Sequence, residues 1–145
     1  MSSAQLRLVP EVARPQSIRS LPRGLPERRA QGDLLSQVFV AALVADRGPD
    51  GACRVLEHRH ARARHARVLA DLLAMVENPL RLRDLPDRVD GVEDALAVYD
   101  VARLAIDGER AAGRVFLEDL AETLLLPPTL VRWFEERSHP AGVRA

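Results

Sequence analysis

The chain has 145 residues with 47% apolar and 29% charged side chains, a composition typical of one globular domain and not of a disordered or fibrous protein. Its single cysteine excludes an internal disulfide, and its longest apolar run, residues 38–45, is far shorter than the roughly 18 residues of a membrane-spanning helix. The net charge is zero, but all basic residues are arginine, and residues 1–30 are basic while the rest is acidic. Since the start also lacks the apolar region of a secretory signal, we predict a cytoplasmic protein without a transmembrane segment.

Residues 1–32 are predicted to form an extended N-terminal arm. Prolines recur every few residues between arginines and serines, and no helical or alternating apolar pattern survives between them. Proline lacks a backbone donor and favours extended structure, so the arm is expected to be flexible. Asp33 is the predicted N-cap of the first helix. The chain therefore divides into the arm, a helical domain at 33–137 and a short tail at 138–145.

The helical domain is predicted to contain about five to six helices and no strand. Apolar side chains at helical spacing place the helices at 34–45, from about 52 into a basic stretch at 57–67, and at 68–76, 92–106, 116–124 and 129–137. Glycine and proline separate them, and the segment between Leu80 and Val89 holds one short helical turn. The fold class is an all-α, compact helical bundle with short connections, with Tyr99, Phe116 and Phe134 in or near its core.

An internal echo, meaning a short sequence pattern that occurs once in each half, links the two halves of this domain. Residues 40–46 and 101–107 both read as an apolar helix that ends in an aspartate before a turn and another helix. The offset of 61 residues makes Asp46 and Asp107 equivalent. A pseudo-two-fold repeat is therefore predicted, in which the two aspartates lie close together.

Several segments resemble the TerB-like (tellurite-resistance) superfamily, most closely its uncharacterised YebE-like branch. The most specific segment is AVYDVARLAID at 97–107, followed by FLEDLA at 116–121 and LPPTLV at 126–131. The helix at 35–46, with its final alanine-aspartate pair, resembles the opening helix of that family. The resemblance covers residues 33–137 and leaves the arm outside.

This resemblance implies a pseudo-two-fold helical bundle whose paired acidic turns are candidate metal sites. Asp46 and Asp107 would be the ligands. The family usually adds a glutamate from the following helix, and Cys53 and Gly113 stand at the matching positions here. Hard cations need several oxygen ligands, so the site is expected to be degenerate and no cofactor is predicted. A divalent cation held by the two aspartates is the alternative, and simple turn chemistry is the plainer interpretation of both residues.

The sequence EHRHARARHAR at residues 57–67 is the main candidate surface for a partner. Its histidine spacings of two, five and seven do not match the i, i+4 pattern of a zinc helix. Arginine pairs well with carboxylates and phosphates, so Arg59, Arg62, Arg64 and Arg67 are candidates for binding an acidic partner or a phosphate. The alternative is a solvated helix face with the alanines turned inward.

The C-terminal segment offers a competing interpretation from another functional class. Residues 120–137 could form a helix-turn-helix whose last helix, Thr129 to Arg137, reads DNA. Glu135 and Glu136 on that helix oppose binding to phosphates, so a nucleic-acid partner is not favoured. Trp133 is instead a candidate anchor for a protein partner.

No catalytic motif is recognisable, and Cys53 is interpreted as a small buried apolar residue rather than a nucleophile. We therefore predict a non-enzymatic, TerB-like protein-interaction module. The alternatives are a divalent-cation-binding stress-response or envelope protein and a DNA-binding regulator. The basic arm on the acidic surface of a second copy also predicts a weak, salt-sensitive homodimer.

Overall fold

The computed structural model describes residues 25–138, and every regular element within them is helical. The elements are α1 (Leu25–Arg59), a 3-10 turn (Ala63–His65), α2 (Ala66–Glu77), two 3-10 turns (Leu82–Asp84 and Pro86–Arg88), α3 (Gly91–Ala105), α4 (Ala111–Thr123) and α5 (Pro128–Ser138). α1 is bent, so the described chain has six straight α-helical segments. The predicted all-α bundle is confirmed.

The bend in α1 lies where the sequence predicts a turn. Gly48 has φ 80° and ψ 168°, a conformation that favours glycine, and Pro49 continues the chain without needing a hydrogen-bond partner for its nitrogen. Gly51 is also required, because a Cβ at that position would lie only 2.7 Å from Cβ of Arg47. The two glycines therefore allow the chain to change direction directly after Asp46 and Arg47.

The start of α1 differs from the prediction, and its end agrees with it. The helix begins at Leu25, so the prediction that Asp33 caps it is wrong. Pro26 stands in the first turn, where its missing donor costs nothing, and good helix formers follow it. The helix ends at Arg59, inside the basic stretch into which it was predicted to run.

Leucine, valine and alanine build most of the core, since only 3% of the chain is aromatic. The largest fully buried aliphatic side chains are Leu43, Leu56, Leu85, Leu120, Val38, Val40 and Val98. Tyr99 is also buried, with 1% of its surface exposed. Phe116 and Phe134 pack against the core from partly exposed positions, so the prediction that all three lie in or near the core is confirmed.

The chain separates into two units after Gly32, and the core lies in the second. Most of the predicted arm and nearly all of the predicted tail fall outside the described residues, so the flexibility of the arm stays a prediction. Among the residues described, no helix combines the length and the apolar character that crossing a bilayer requires.

Candidate functional site

The two aspartate turns meet, as the internal echo predicts. Asp46 lies in α1 just before the bend, and Asp107 follows the C-terminal end of α3. The backbone N–H of Asp107 donates to Oδ2 of Asp46 at 3.5 Å. The predicted proximity of the two carboxylates is therefore confirmed.

Asp46 is a buried carboxylate held beside two arginines. Its side chain has no exposed surface, and its Oδ2 lies 3.5 Å from Nη1 of Arg110 and 3.8 Å from Nε of Arg47. Its Oδ1 is buried and has no hydrogen-bond partner among the described residues. A buried charge is costly unless it is paired, so the two guanidinium groups are what permit Asp46 to stay inside.

Asp107 is more exposed and shares the same two arginines. Its Oδ1 accepts a 2.9 Å hydrogen bond from the backbone of Glu109, and its Oδ2 accepts bonds from Arg110 at 2.6 Å and Arg47 at 3.4 Å. The Glu109 backbone bond and then the two arginines hold the pKa of Asp107 below its usual range. We call Asp46, Asp107, Arg47 and Arg110 the acid–arginine cluster.

This cluster does not fit a divalent cation. Calcium and magnesium take six or more oxygen ligands, whereas the cluster offers two carboxylates whose oxygens already face guanidinium groups. Within residues 25–138, no group of three histidine, cysteine or acidic side chains is placed to hold a metal ion. The cluster resembles an internal salt-bridge network in which arginines stand where the resemblance implies a metal.

Gly113 has a role that the sequence did not indicate. It is the position where the resemblance implies a glutamate, but in the structure it packs against Asp46. A Cβ on Gly113 would collide with Oδ1 of Asp46 and lie 2.7 Å from Cγ2 of Ile106. Glycine at 113 is therefore what makes room for the buried carboxylate. Cys53, the other substituted position, is a half-buried free thiol packed against the core.

Sequence reasoning missed Arg47 and Arg110 as partners of the two aspartates. A signal was present for Arg110, which lies three residues after Asp107, a spacing at which opposite charges can meet. No such signal marked Arg47, because adjacent side chains on a helix do not face each other. What the sequence could not indicate is that each arginine contacts the aspartate of the other turn as well.

Residues 57–67 form a basic elbow between α1 and α2. Arg59, Arg62, Arg64 and Arg67 are all exposed, and Glu57 is the elbow's only acidic residue. The rings of His60 and His65 meet edge to face with their centroids 5.5 Å apart. The elbow therefore turns around a histidine pair and leaves its arginines on the surface.

Trp133 lies on α5 with half of its surface exposed. The guanidinium of Arg137 lies 4.9 Å above its ring, and the ring of Phe134 is 6.3 Å away. Both contacts are within α5, so the structure does not join Trp133 to the elbow arginines through them.

Tyr99 forms the other buried polar contact of interest. Its hydroxyl donates to Oε2 of Glu135 at 3.1 Å, and both residues line a groove of about 700 Å³ between α3, α4 and α5. Burial, and then the neighbouring Glu135 carboxylate, raise the pKa of Tyr99 to about 12. A hydroxyl with this pKa is a poor general acid or base at neutral pH.

Comparison with known proteins places the chain in a family. The family model described as "Protein of unknown function (DUF533)" matches residues 16–138. The chain belongs to this family. DUF533 is TerB-like, so the predicted superfamily is confirmed. The match begins at residue 16, so the prediction that the whole arm lies outside the resemblance is wrong. No curated protein and no solved structure matched the chain.

Proposed function

We propose that this chain is a non-catalytic helical module that binds an acidic segment of a partner protein through the basic elbow. The proposal rests on one observation: Arg62, Arg64 and Arg67 are exposed and have no ion-pair partner among the described residues. The guanidinium group of arginine forms some of its strongest hydrogen bonds with carboxylates. These three side chains are therefore available to a carboxylate of another protein.

The acid–arginine cluster supports a structural role for Asp46 and Asp107 over cation binding. Magnesium, calcium or zinc is expected to leave the melting temperature of the full chain unchanged, because Arg47 and Arg110 already neutralise both carboxylates. A ligand at 100 times its dissociation constant adds about 2.7 kcal/mol to the free energy of unfolding, which is several degrees. Such a rise, abolished by Asp46→Asn, would instead favour the cation-binding alternative.

A non-catalytic role is supported by the chemistry of the two residues best suited to catalysis. The Tyr99 hydroxyl is engaged by Glu135 and keeps its proton far above neutral pH. The Cys53 thiol is half-buried and packs against the apolar core, as a structural cysteine does.

The decisive experiment is affinity capture from the cell of origin with the full chain as bait. The elbow variant Arg62→Gln/Arg64→Gln is compared with the matched variant Arg81→Gln/Arg83→Gln, which removes two exposed arginines at the same spacing elsewhere. A protein with an acidic segment should be retained by the wild type and the matched variant and lost from the elbow variant. Equal retention by all three baits would overturn the proposal.

DNA binding is tested by the anisotropy of a labelled duplex alongside a glutamate-rich peptide. The peptide is expected to bind more weakly to the elbow variant, and the duplex to show only the weak, salt-sensitive binding of any basic surface. A duplex that binds more tightly than the peptide, with the loss mapped to Arg132 on α5, would support the helix-turn-helix alternative.

We also propose the YebE-like branch within the TerB-like proteins, on the residues of the segments at 97–107 and 126–131. A cytoplasmic location is proposed from the single cysteine. The weak homodimer stays a prediction. Sedimentation of the full chain at low and high salt tests it, since a dimer held by exposed ion pairs should dissociate as salt rises.

A further inference from the structure

A groove whose charged side chains are all basic lies beside the acid–arginine cluster. It has a volume of about 340 Å³, and its charged and imidazole-bearing lining residues are Arg47, Arg54, His58, Arg59 and Arg110. The bend in α1 places Arg47 on one side of Gly48 and Arg54, His58 and Arg59 on the other. The start of α4 supplies Arg110.

The groove keeps an excess of positive charge after its internal pairs are counted. Arg47 and Arg110 share the carboxylates of Asp46 and Asp107, so these four charges cancel. Asp107 is partly exposed, but three donors already engage its carboxylate. Arg54 has no ion-pair partner in the described part of the chain.

Arg59 is positioned without being neutralised. Its guanidinium lies 5.2 Å from the centre of the Phe39 ring, a cation–π contact that restrains the side chain and leaves its charge intact. Arg54 and Arg59 therefore contribute about two unbalanced positive charges to the groove, and the ring of His58 adds an N–H donor.

We propose that this groove binds a phosphoryl group, carried either by a small free phosphate or by a phosphorylated side chain of a partner. A phosphate dianion matches two unbalanced guanidinium charges, and its oxygens accept the paired bonds that arginine forks donate. The groove volume is near the lower end of the roughly 300–1,000 Å³ of small-molecule sites, which suits one phosphoryl group with a small substituent. Only the phosphoprotein source rests on the proposed function above.

The test uses the full chain and inorganic phosphate as the probe, with sodium chloride at equal ionic strength as the reference. Titration calorimetry should show saturable phosphate binding that chloride does not reproduce. Arg54→Gln is expected to weaken binding about ten-fold or more, because it removes charge-assisted hydrogen bonds. Arg54→Lys keeps the charge but loses the planar guanidinium, so its phosphate affinity should lie between those of the wild type and Arg54→Gln. Arg81→Gln, which lies outside the groove, should bind phosphate as tightly as the wild type.

The source of the phosphate is distinguished by a phosphoserine peptide and its unphosphorylated form. Tighter binding of the phosphopeptide than of inorganic phosphate assigns the groove to a modified partner, and the reverse order assigns it to a free phosphate. Equal phosphate affinity in the wild type and Arg54→Gln, or no preference over chloride, would overturn the proposal. The elbow variant Arg62→Gln/Arg64→Gln should keep its phosphate binding, because neither residue lines the groove, so the two proposals can fail independently.

Discussion

The acid–arginine cluster and the basic elbow use the same side chain in opposite ways. In the cluster, Arg47 and Arg110 face two carboxylates from equivalent turns, and one of those carboxylates is wholly buried. In the elbow, the arginines project from a turn into solvent without an ion-pair partner among the described residues. The bend in α1 and the α3–α4 turn bring carboxylates to the cluster arginines, which therefore stabilise the fold. The elbow arginines have no such neighbour between residues 25 and 138 and are available to a ligand.

The comparison also separates strong from weak charge interactions. Pairs that include a buried group are poorly screened, and removing one member leaves the other without compensation. Exposed charges contribute little to folding, typically below about 1 kcal/mol per pair. Substitutions should therefore change stability in the cluster and binding at the elbow, and the two readouts should separate cleanly.

Gly113→Ala should have the largest effect on stability. The added methyl group meets Oδ1 of Asp46 and Cγ2 of Ile106, and the cost of such overpacking is about 3 kcal/mol, at the upper end of its usual range. Urea unfolding of the full chain measures the loss. Gly32→Ala is the matched control: it lies in α1 with nothing within 4 Å of the new Cβ, so alanine should raise stability by about 0.5–1 kcal/mol. A neutral or stabilising Gly113→Ala would mean that Asp46 is not packed as described.

Asp46→Asn should reduce the free energy of unfolding by about 2 kcal/mol. The amide keeps the shape of the carboxylate but removes the charge that faces Arg47 and Arg110, leaving the guanidinium groups with Asp107 alone. Asp119→Asn on the exposed surface of α4 is the control and should change stability by less than about 0.5 kcal/mol. If both variants unfold at the same urea concentration, the cluster contributes nothing that a surface aspartate does not.

Tyr99→Phe removes a buried polar contact outside the cluster. It should lower the free energy of unfolding by about 1 kcal/mol, the usual value of one hydrogen bond. The folded-state pKa of about 12 lies above the ordinary value near 10, so the folded state holds the proton more tightly. Wild-type stability should therefore fall as the pH rises from about 10 to about 12, and Tyr99→Phe should lack this component. Because Tyr99 is the only tyrosine, its titration can be followed directly by tyrosinate absorbance. A midpoint near 10 in the folded protein would contradict the buried contact with Glu135.

The smallest effect on stability is expected at the elbow. Arg62→Gln/Arg64→Gln should leave the free energy of unfolding within about 0.5 kcal/mol of the wild type, since no folded-state partner is lost among the described residues. Arg110→Gln should cost about 1 kcal/mol, a modest value because 45% of that side chain is exposed and solvent screens its pairs. Raising the salt concentration should reduce the difference in the free energy of unfolding between Arg110→Gln and the elbow variant. An elbow variant less stable than Arg110→Gln would reverse the distinction between the two regions.

The helices were predictable because their apolar spacing and their glycine and proline breaks agree. The meeting of Asp46 and Asp107 was also predictable, since it follows from the internal echo. The start of α1 at Leu25 was not, because a proline in a first helical turn has the same sequence signature as a proline in an arm. The role of Gly113 was missed for a different reason: a missing side chain indicates a lost ligand and a close packing contact equally well until the opposing atom is known.

The fit of Gly113 against Asp46 also bears on how this chain could change over evolutionary time. The resemblance implies a glutamate at position 113 in relatives with an intact site, but any side chain there now collides with Asp46 before it could coordinate anything. Restoring a cation site would require Asp46 to move and Arg110 to withdraw together with the substitution at 113. A glutamate at position 113 is therefore compatible with this fold only if Asp46 and its arginine partner rearrange at the same time.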